Sequence, residues 1–201
     1  QSLMKAYVLS PKELAEEAKM LADCGLDEIT IMDSAGTMMP HETEAYTKEL
    51  VAAVDIPVAF HGHNNLGLSV ANAIAAAEAG ATVFDCGLLG MARSAGNCAT
   101  ELLVATFQRL GYFKDIDLYK LLAFLDGELI PAMEEYNYHV AVKPFDLILG
   151  LAGCHSSFTK RFQNIADEMG VPLYQLIVEV SKRDQKAPSE ELIRQIAADL
   201  V

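Results

Sequence analysis

Apolar positions switch between two periods along the first two-thirds of the chain. The run Leu3–Leu9 reads as a short strand. Ser10-Pro11-Lys12-Glu13 then has the form of a helix start, with Ser10 as N-cap, Pro11 at the first helical position and Glu13 closing a capping box. Leu14, Ala18, Leu21 and Ala22 follow at helical spacing, and Gly25 suits the stop. Glu28–Asp33 predicts a second strand. Pro40–Val54 predicts a helix with Tyr46, Leu50 and Val54 along one stripe. Pro57–His63 is a third strand. The Ala-rich segment Leu68–Ala79 is a helix ended by Gly80, and Thr82–Leu88 is a fourth strand. Asn97 or Thr100 then caps a helix running to Leu110. Strands alternating with helices of this length imply parallel neighbours joined by right-handed crossovers. An open doubly wound sheet and a closed (β/α)8 barrel both fit the pattern. A closed barrel takes eight units and about 250 residues.

Beyond Gly111 the pattern changes. Leu118–Leu125 is helical, while Tyr136–His139 and Lys143–Phe145 read as an irregular linker or short strand. Three helices with no strand between them follow, at Phe158–Met169, Leu173–Lys182 and Ser189–Leu200, separated by Gly170-Val171-Pro172 and Lys186-Ala187-Pro188. The chain is therefore expected to divide into a βα part, residues 1–130, and a mainly helical module, residues 131–201.

Composition narrows the partners. Of 201 residues, 52% are hydrophobic, too many for a disordered chain. The net charge of −13 argues against a nucleic-acid-binding surface, which needs clustered Lys and Arg. No apolar run approaches the roughly 18 residues of a membrane span, and no signal peptide opens the chain. The four cysteines, Cys24, Cys86, Cys98 and Cys154, show no CxxC spacing and read as reduced, semi-buried residues of a cytoplasmic protein.

In parallel α/β folds, chemistry gathers at the carboxyl ends of the strands. Here those ends read Asp33-Ser34-Ala35-Gly36, His61-Gly62-His63-Asn64-Asn65, and Gly87-Leu88-Leu89-Gly90 followed by Ser94-Ala95-Gly96-Asn97. His61 and His63 stand two apart on a strand, so both imidazoles project from one face. Such a pair can ligate Mn, Zn or Fe, or can be two polar residues of a loop; spacing alone leaves both open. Asp33 is either a carboxylate behind a ligand histidine, a substrate contact, or a turn cap. Ser34 can hydrogen-bond an anionic substrate but lacks the G-x-S-x-G setting of a nucleophile. Asn97 is a substrate contact or an N-cap. No G-x-G-x-x-G opens a helix and no phosphate-binding P-loop is present. His155 is a lone histidine in a loop of small residues.

The segment His61-Gly62-His63-Asn64-Asn65-Leu66-Gly67-Leu68 resembles the metal-binding strand of the TIM-barrel pyruvate aldolases and of the acyl-CoA lyases and synthases related to HMG-CoA lyase. Asp33-Ser34-Ala35-Gly36 and Ala95-Gly96-Asn97 match further signatures in the same order. Within that superfamily the chain most resembles the 4-hydroxy-2-oxovalerate aldolase family, through Asn65–Asn72, Gly90-Met91, Asp117-Leu118-Tyr119 and Ala152-Gly153 with Ser156-Ser157-Phe158. The resemblance implies the second half of a (β/α)8 TIM barrel followed by a small helical module. It implies a divalent metal, Mn²⁺ first and Mg²⁺, Co²⁺ or Zn²⁺ as alternatives, bound by His61 and His63. Ser34 and Asn97 would contact the 2-oxoacid substrate, and the tail would dock an acylating acetaldehyde dehydrogenase that receives the aldehyde, in a homo- or hetero-oligomer. The family's Asp-x-Thr-x-Arg-Asp-Gly segment, source of its metal-binding Asp and its catalytic Arg, has no counterpart here, nor has its catalytic His. Leu151 and His155 stand where the family has tyrosines, so that proton transfer would fall to His155 or to a water, or the substrate differs, and Arg93 replaces a small residue. The alternatives are an acyl-CoA-dependent Claisen-type lyase or synthase and a non-catalytic docking fragment.

Overall fold

The structure is a computed structural model describing residues 1–92, 95–136, 144–145, 148, 152, 154, 158–184 and 187–201. It divides into two compact units, Gln1–Phe113 and Lys114–Val201.

The first unit is built on a four-stranded parallel sheet in the order β1 (Ser2–Leu3), β2 (Ile29–Asp33), β3 (Val58–Gly62), β4 (Val83–Asp85). Helices α1 (Pro11–Ala22), α2 (Pro40–Ala53) and α3 (Ser69–Glu78) make the crossovers, and α4 (Thr100–Arg109) follows β4. Parallel neighbours in sequence order are the arrangement that the alternating periods imply. α1 begins as its sequence dictates: the Ser10 hydroxyl accepts the Glu13 amide while the Glu13 carboxylate accepts the Ser10 amide. Leu14, Ile29, Ile31, Leu50, Phe60 and Phe107 are buried between sheet and helices.

Three expectations fail locally. Leu3–Leu9 is not one strand: only Ser2–Leu3 pairs with β2, and Ala6–Val8 forms a 3-10 turn after Lys5 adopts a left-handed φ of 56°. β4 stops at Asp85, because Gly87 onward leaves the sheet to pair with Cys98 and Thr100. Neither Asn97 nor Thr100 caps α4; its N-cap is Ala99, with no side-chain bond.

In the second unit, α5 (Leu118–Phe124) continues through a π-helical turn at Leu125–Leu129 into α6 (Ile130–Glu134). The helix thus runs past the expected end at Leu125. Pro131 has no N–H to donate to the carbonyl of Gly127, and the wider turn lies just before it. Helices α7 (Thr159–Met169), α8 (Leu173–Ser181) and α9 (Glu190–Ala198) contact one another pairwise. They bury Phe162, Ile165, Leu176, Ile177, Val180 and Ile193, the apolar stripes of their sequences. The Tyr136–Phe145 linker lies almost wholly outside the described residues. No helix of the described residues is long and apolar enough to cross a membrane.

The turn after β2 approaches that after β3 closely enough to exclude a side chain. A Cβ on Gly36, where φ is +60°, would stand 2.5 Å from the Asn65 amide nitrogen and 2.7 Å from the His63 carbonyl oxygen. Gly36→Ala is expected to cost more than about 2 kcal/mol in urea unfolding of the chain. Gly25→Ala, with a φ of +85° but nothing within 4 Å, is the control and is expected to cost about 1 kcal/mol.

Candidate metal centre

Parallel strands bring the carboxyl ends of β2, β3 and β4 to one edge of the sheet. In register, His61 on β3 lies between Met32 on β2 and Asp85 on β4. Side chains at paired positions share a face, so Asp85 meets His61: the imidazole Nδ1 and the Asp85 Oδ2 are 2.8 Å apart. His63 Nδ1 lies 3.2 Å from the Gly96 carbonyl oxygen. A carbonyl accepts and never donates, and an ionised carboxylate does the same. In a neutral ring each of these contacts puts the proton on Nδ1 and the lone pair on Nε2, the form in which imidazole ligates metals. The two rings are adjacent, with centroids 5.2 Å apart at an interplanar angle of 73°. Both are buried, at 7% and 4% exposure.

Asn97 joins this pair. It forms an antiparallel bridge with His63, and its amide donates to the Gly90 carbonyl at 2.9 Å. Its side-chain Oδ1 is buried without a hydrogen-bond partner among the described residues. An orphaned buried acceptor costs free energy unless a ligand satisfies it. Two imidazole nitrogens suit a divalent first-row ion as a partial donor set. Among the described residues no three His, Cys, Asp or Glu side chains come together to complete one.

Asp33 takes the turn role instead of standing behind a histidine. Fully buried, its carboxylate accepts the Thr37 and Met38 amides, each at 3.0 Å. Asp85 has the position expected of it. The signal was present in the sequence, as the single charged residue within an otherwise apolar strand, but only the register makes it His61's neighbour. The Ser34 hydroxyl accepts the Lys5 amide at 2.9 Å, which leaves its own proton to donate. Cys24 is exposed rather than semi-buried. Burial pushes the Cys98 thiol up to about 12, so it is no nucleophile near neutral pH. Arg93, Leu151 and His155 lie outside the described residues.

Removing the carboxylate behind His61 tests this arrangement. Asp85→Ala is expected to weaken Mn²⁺ binding about 10–100-fold in a calorimetric titration while leaving the circular dichroism unchanged. Unaltered affinity would show that the contact does not tune the ring.

Comparison with known proteins bears out the resemblance. Residues 1–126 match the HMGL-like family, and residues 140–201 match the DmpG-like communication domain. A 4-hydroxy-2-oxovalerate aldolase of Pectobacterium atrosepticum is 39% identical over 199 residues, which are 98% of this chain and 57% of that protein. The chain thus spans little more than half the length of such relatives. Among solved structures, the N-terminal domain of a putative aldolase from Bacteroides vulgatus is 28% identical, with TM-score 0.53 over 68% of this chain and 44% of that one. Hydroxymethylglutaryl-CoA lyase from Pseudomonas aeruginosa shares the fold at 20% identity, with TM-score 0.59 over 70% of this chain and 48% of that one. With 126 of its 201 residues matched by one family, the chain belongs to the HMGL-like family.

Proposed function

We propose that this chain is the C-terminal portion of a metal-dependent aldolase that cleaves 4-hydroxy-2-oxovalerate-type acids to pyruvate and an aldehyde. The observation that carries this reading is the pair of adjacent imidazoles, each turned by an oxygen partner to put its lone pair on Nε2. His61 and His63 are the metal ligands. Asp85 and the Gly96 carbonyl orient them, and Asn97 and Ser34 face the substrate. When bound, a divalent cation, Mn²⁺ by preference, supplies a Lewis acid to the carbonyl of the 2-oxoacid. The Ser34 hydroxyl donates to the acid's carboxylate. His155, in place of the tyrosine of its relatives, serves proton transfer.

Residues 1–130 belong to the second half of a (β/α)8 barrel. Among the described residues both outer strands of the sheet have an unpaired edge, and Met4 and Val8 beyond β1 are 70% and 66% exposed. Open parallel edges with apolar surface beside them suit closure by further strands. Residues 131–201 are a docking module for an acylating aldehyde dehydrogenase, supported by the match to the communication domain. That match favours the aldolase over an acyl-CoA-dependent lyase or synthase, and the enzyme works in the cytoplasm.

The test mixes the chain with the complementary N-terminal half of the Pectobacterium relative and assays pyruvate from 4-hydroxy-2-oxovalerate. Pyruvate is expected only with divalent metal present, and His61→Ala is expected to abolish it. A mixture that associates and binds Mn²⁺ yet releases no pyruvate overturns the reading.

A further inference from the structure

The loop that brings Gly96 and Asn97 to the histidines is anchored from below by a group that the chemistry does not use. Glu101, in the first turn of α4, is 4% exposed. Its Oε2 accepts the Leu89 amide at 3.0 Å. Burial raises its pKa, and the groups that act against this are backbone amides, its own and that of Leu89. The carboxylate thus serves as a buried acceptor for main-chain N–H groups.

Its partner is the strained point of the loop. Leu89 is buried and lies in the left-handed region at φ 55°, ψ 16°, an unfavourable setting for a residue with a Cβ. A buried amide in such a turn needs an acceptor, and the Glu101 carboxylate is one. The bonds beyond Leu89 run straight to the site. The Gly90 carbonyl accepts the Asn97 amide, and the Gly96 carbonyl accepts the Asn64 amide and faces His63 Nδ1. The approach is tight: a Cβ on Gly96 would lie 2.4 Å from the Gly90 oxygen, so a shift of the Leu88–Gly90 turn moves Gly96 with it.

We propose that Glu101 is a positioning residue for the metal centre, its carboxylate holding the Leu89 turn that sets the Gly96 carbonyl against His63 and Asn97 beside it. The metal part of this inference rests on the proposed function; the positioning of His63 does not.

The experiment compares the full chain with Glu101→Leu, Glu101→Gln and Glu101→Asp by two readouts. One is the ¹⁵N imidazole spectrum without metal, which reports the protonated nitrogen of each ring. The other is the Mn²⁺ dissociation constant. Glu101→Leu removes the acceptor, and His63 is expected to lose its Nδ1–H form and move to the tautomer mixture of a solvated imidazole, with Mn²⁺ binding weakened about tenfold or more. Glu101→Gln keeps an acceptor oxygen in place and is expected to retain both wild-type values. Glu101→Asp, one methylene short, is expected to behave as the Leu variant, and it decides the matter if that variant unfolds. His61, tied to Asp85 rather than to the loop, is expected to be unchanged throughout and reports an intact fold. An unchanged His63 spectrum in a folded Leu or Asp variant overturns the proposal, as does a Gln variant as damaged as these. If the wild-type chain binds no Mn²⁺ while His63 still responds to Glu101, the metal reading fails and the positioning role stands.

Discussion

Two hydrogen bonds behind the imidazoles govern how the carboxyl edge of this sheet is arranged. An unrestrained histidine exchanges its proton between two ring nitrogens, and a ring free to turn presents neither in a fixed direction. Here the Asp85 carboxylate and the Gly96 carbonyl each lie within hydrogen-bond distance of an Nδ1. That contact orients each ring and, in its neutral form, leaves the lone pair on Nε2. The two partners come from different sources. Asp85 arrives by strand register, one strand over from His61. Gly96 arrives through a loop that must fold back from the end of β4 to reach the end of β3. The second is the more demanding, because a loop has no ladder to hold it.

Much of the first unit can be understood as meeting that demand. Cys98 donates its amide to the Gly62 carbonyl, and Gly87 pairs with Cys98 and Thr100, so the base of the loop is stitched to β3 and to the start of α4. Gly90 and Gly96 stand where carbonyls pass too near for a Cβ. On the other side of His63, the Asp33 carboxylate holds the Thr37 and Met38 amides, and its main-chain oxygen accepts the His63 amide. Asp33 therefore braces the site through its backbone and its turn rather than through an imidazole. Asn97 emerges with a buried oxygen that no group of the described residues satisfies, the arrangement that a ligand would complete.

The sequence made the architecture legible where periodicity is strong and caps are explicit. Ser10 to Glu13 announced α1, and Ile29–Asp33 and Val58–Gly62 were bounded within a residue or so, because an apolar run between turn residues has few other uses in an α/β fold. It was less legible where local preference and tertiary pairing compete. Leu3–Leu9 has the composition of a strand, yet Lys5 turns left-handed and ends it. Thr82–Leu88 likewise looks continuous, but pairing of Gly87 with Cys98 and Thr100 draws the chain out of the sheet. The histidine pair was visible from its spacing of two. Its supporting carboxylate was not, because Asp33 and Asp85 are both acids on strands, and only the register tells which one touches an imidazole. Glu101 was invisible for a related reason: a Glu in the first turn of a helix ordinarily faces solvent and offsets the helix dipole.

The central claim is that His61 and His63 act together, through Nε2, on one divalent ion. Pulsed electron paramagnetic resonance of Mn²⁺ bound to the chain tests it most directly, because nitrogen nuclei coupled to the ion modulate the spin echo. The account predicts two imidazole nitrogen couplings in the wild-type chain, one lost in His61→Ala and one in His63→Ala. Bound Mn²⁺ with no nitrogen modulation, or modulation unchanged by both substitutions, would contradict it.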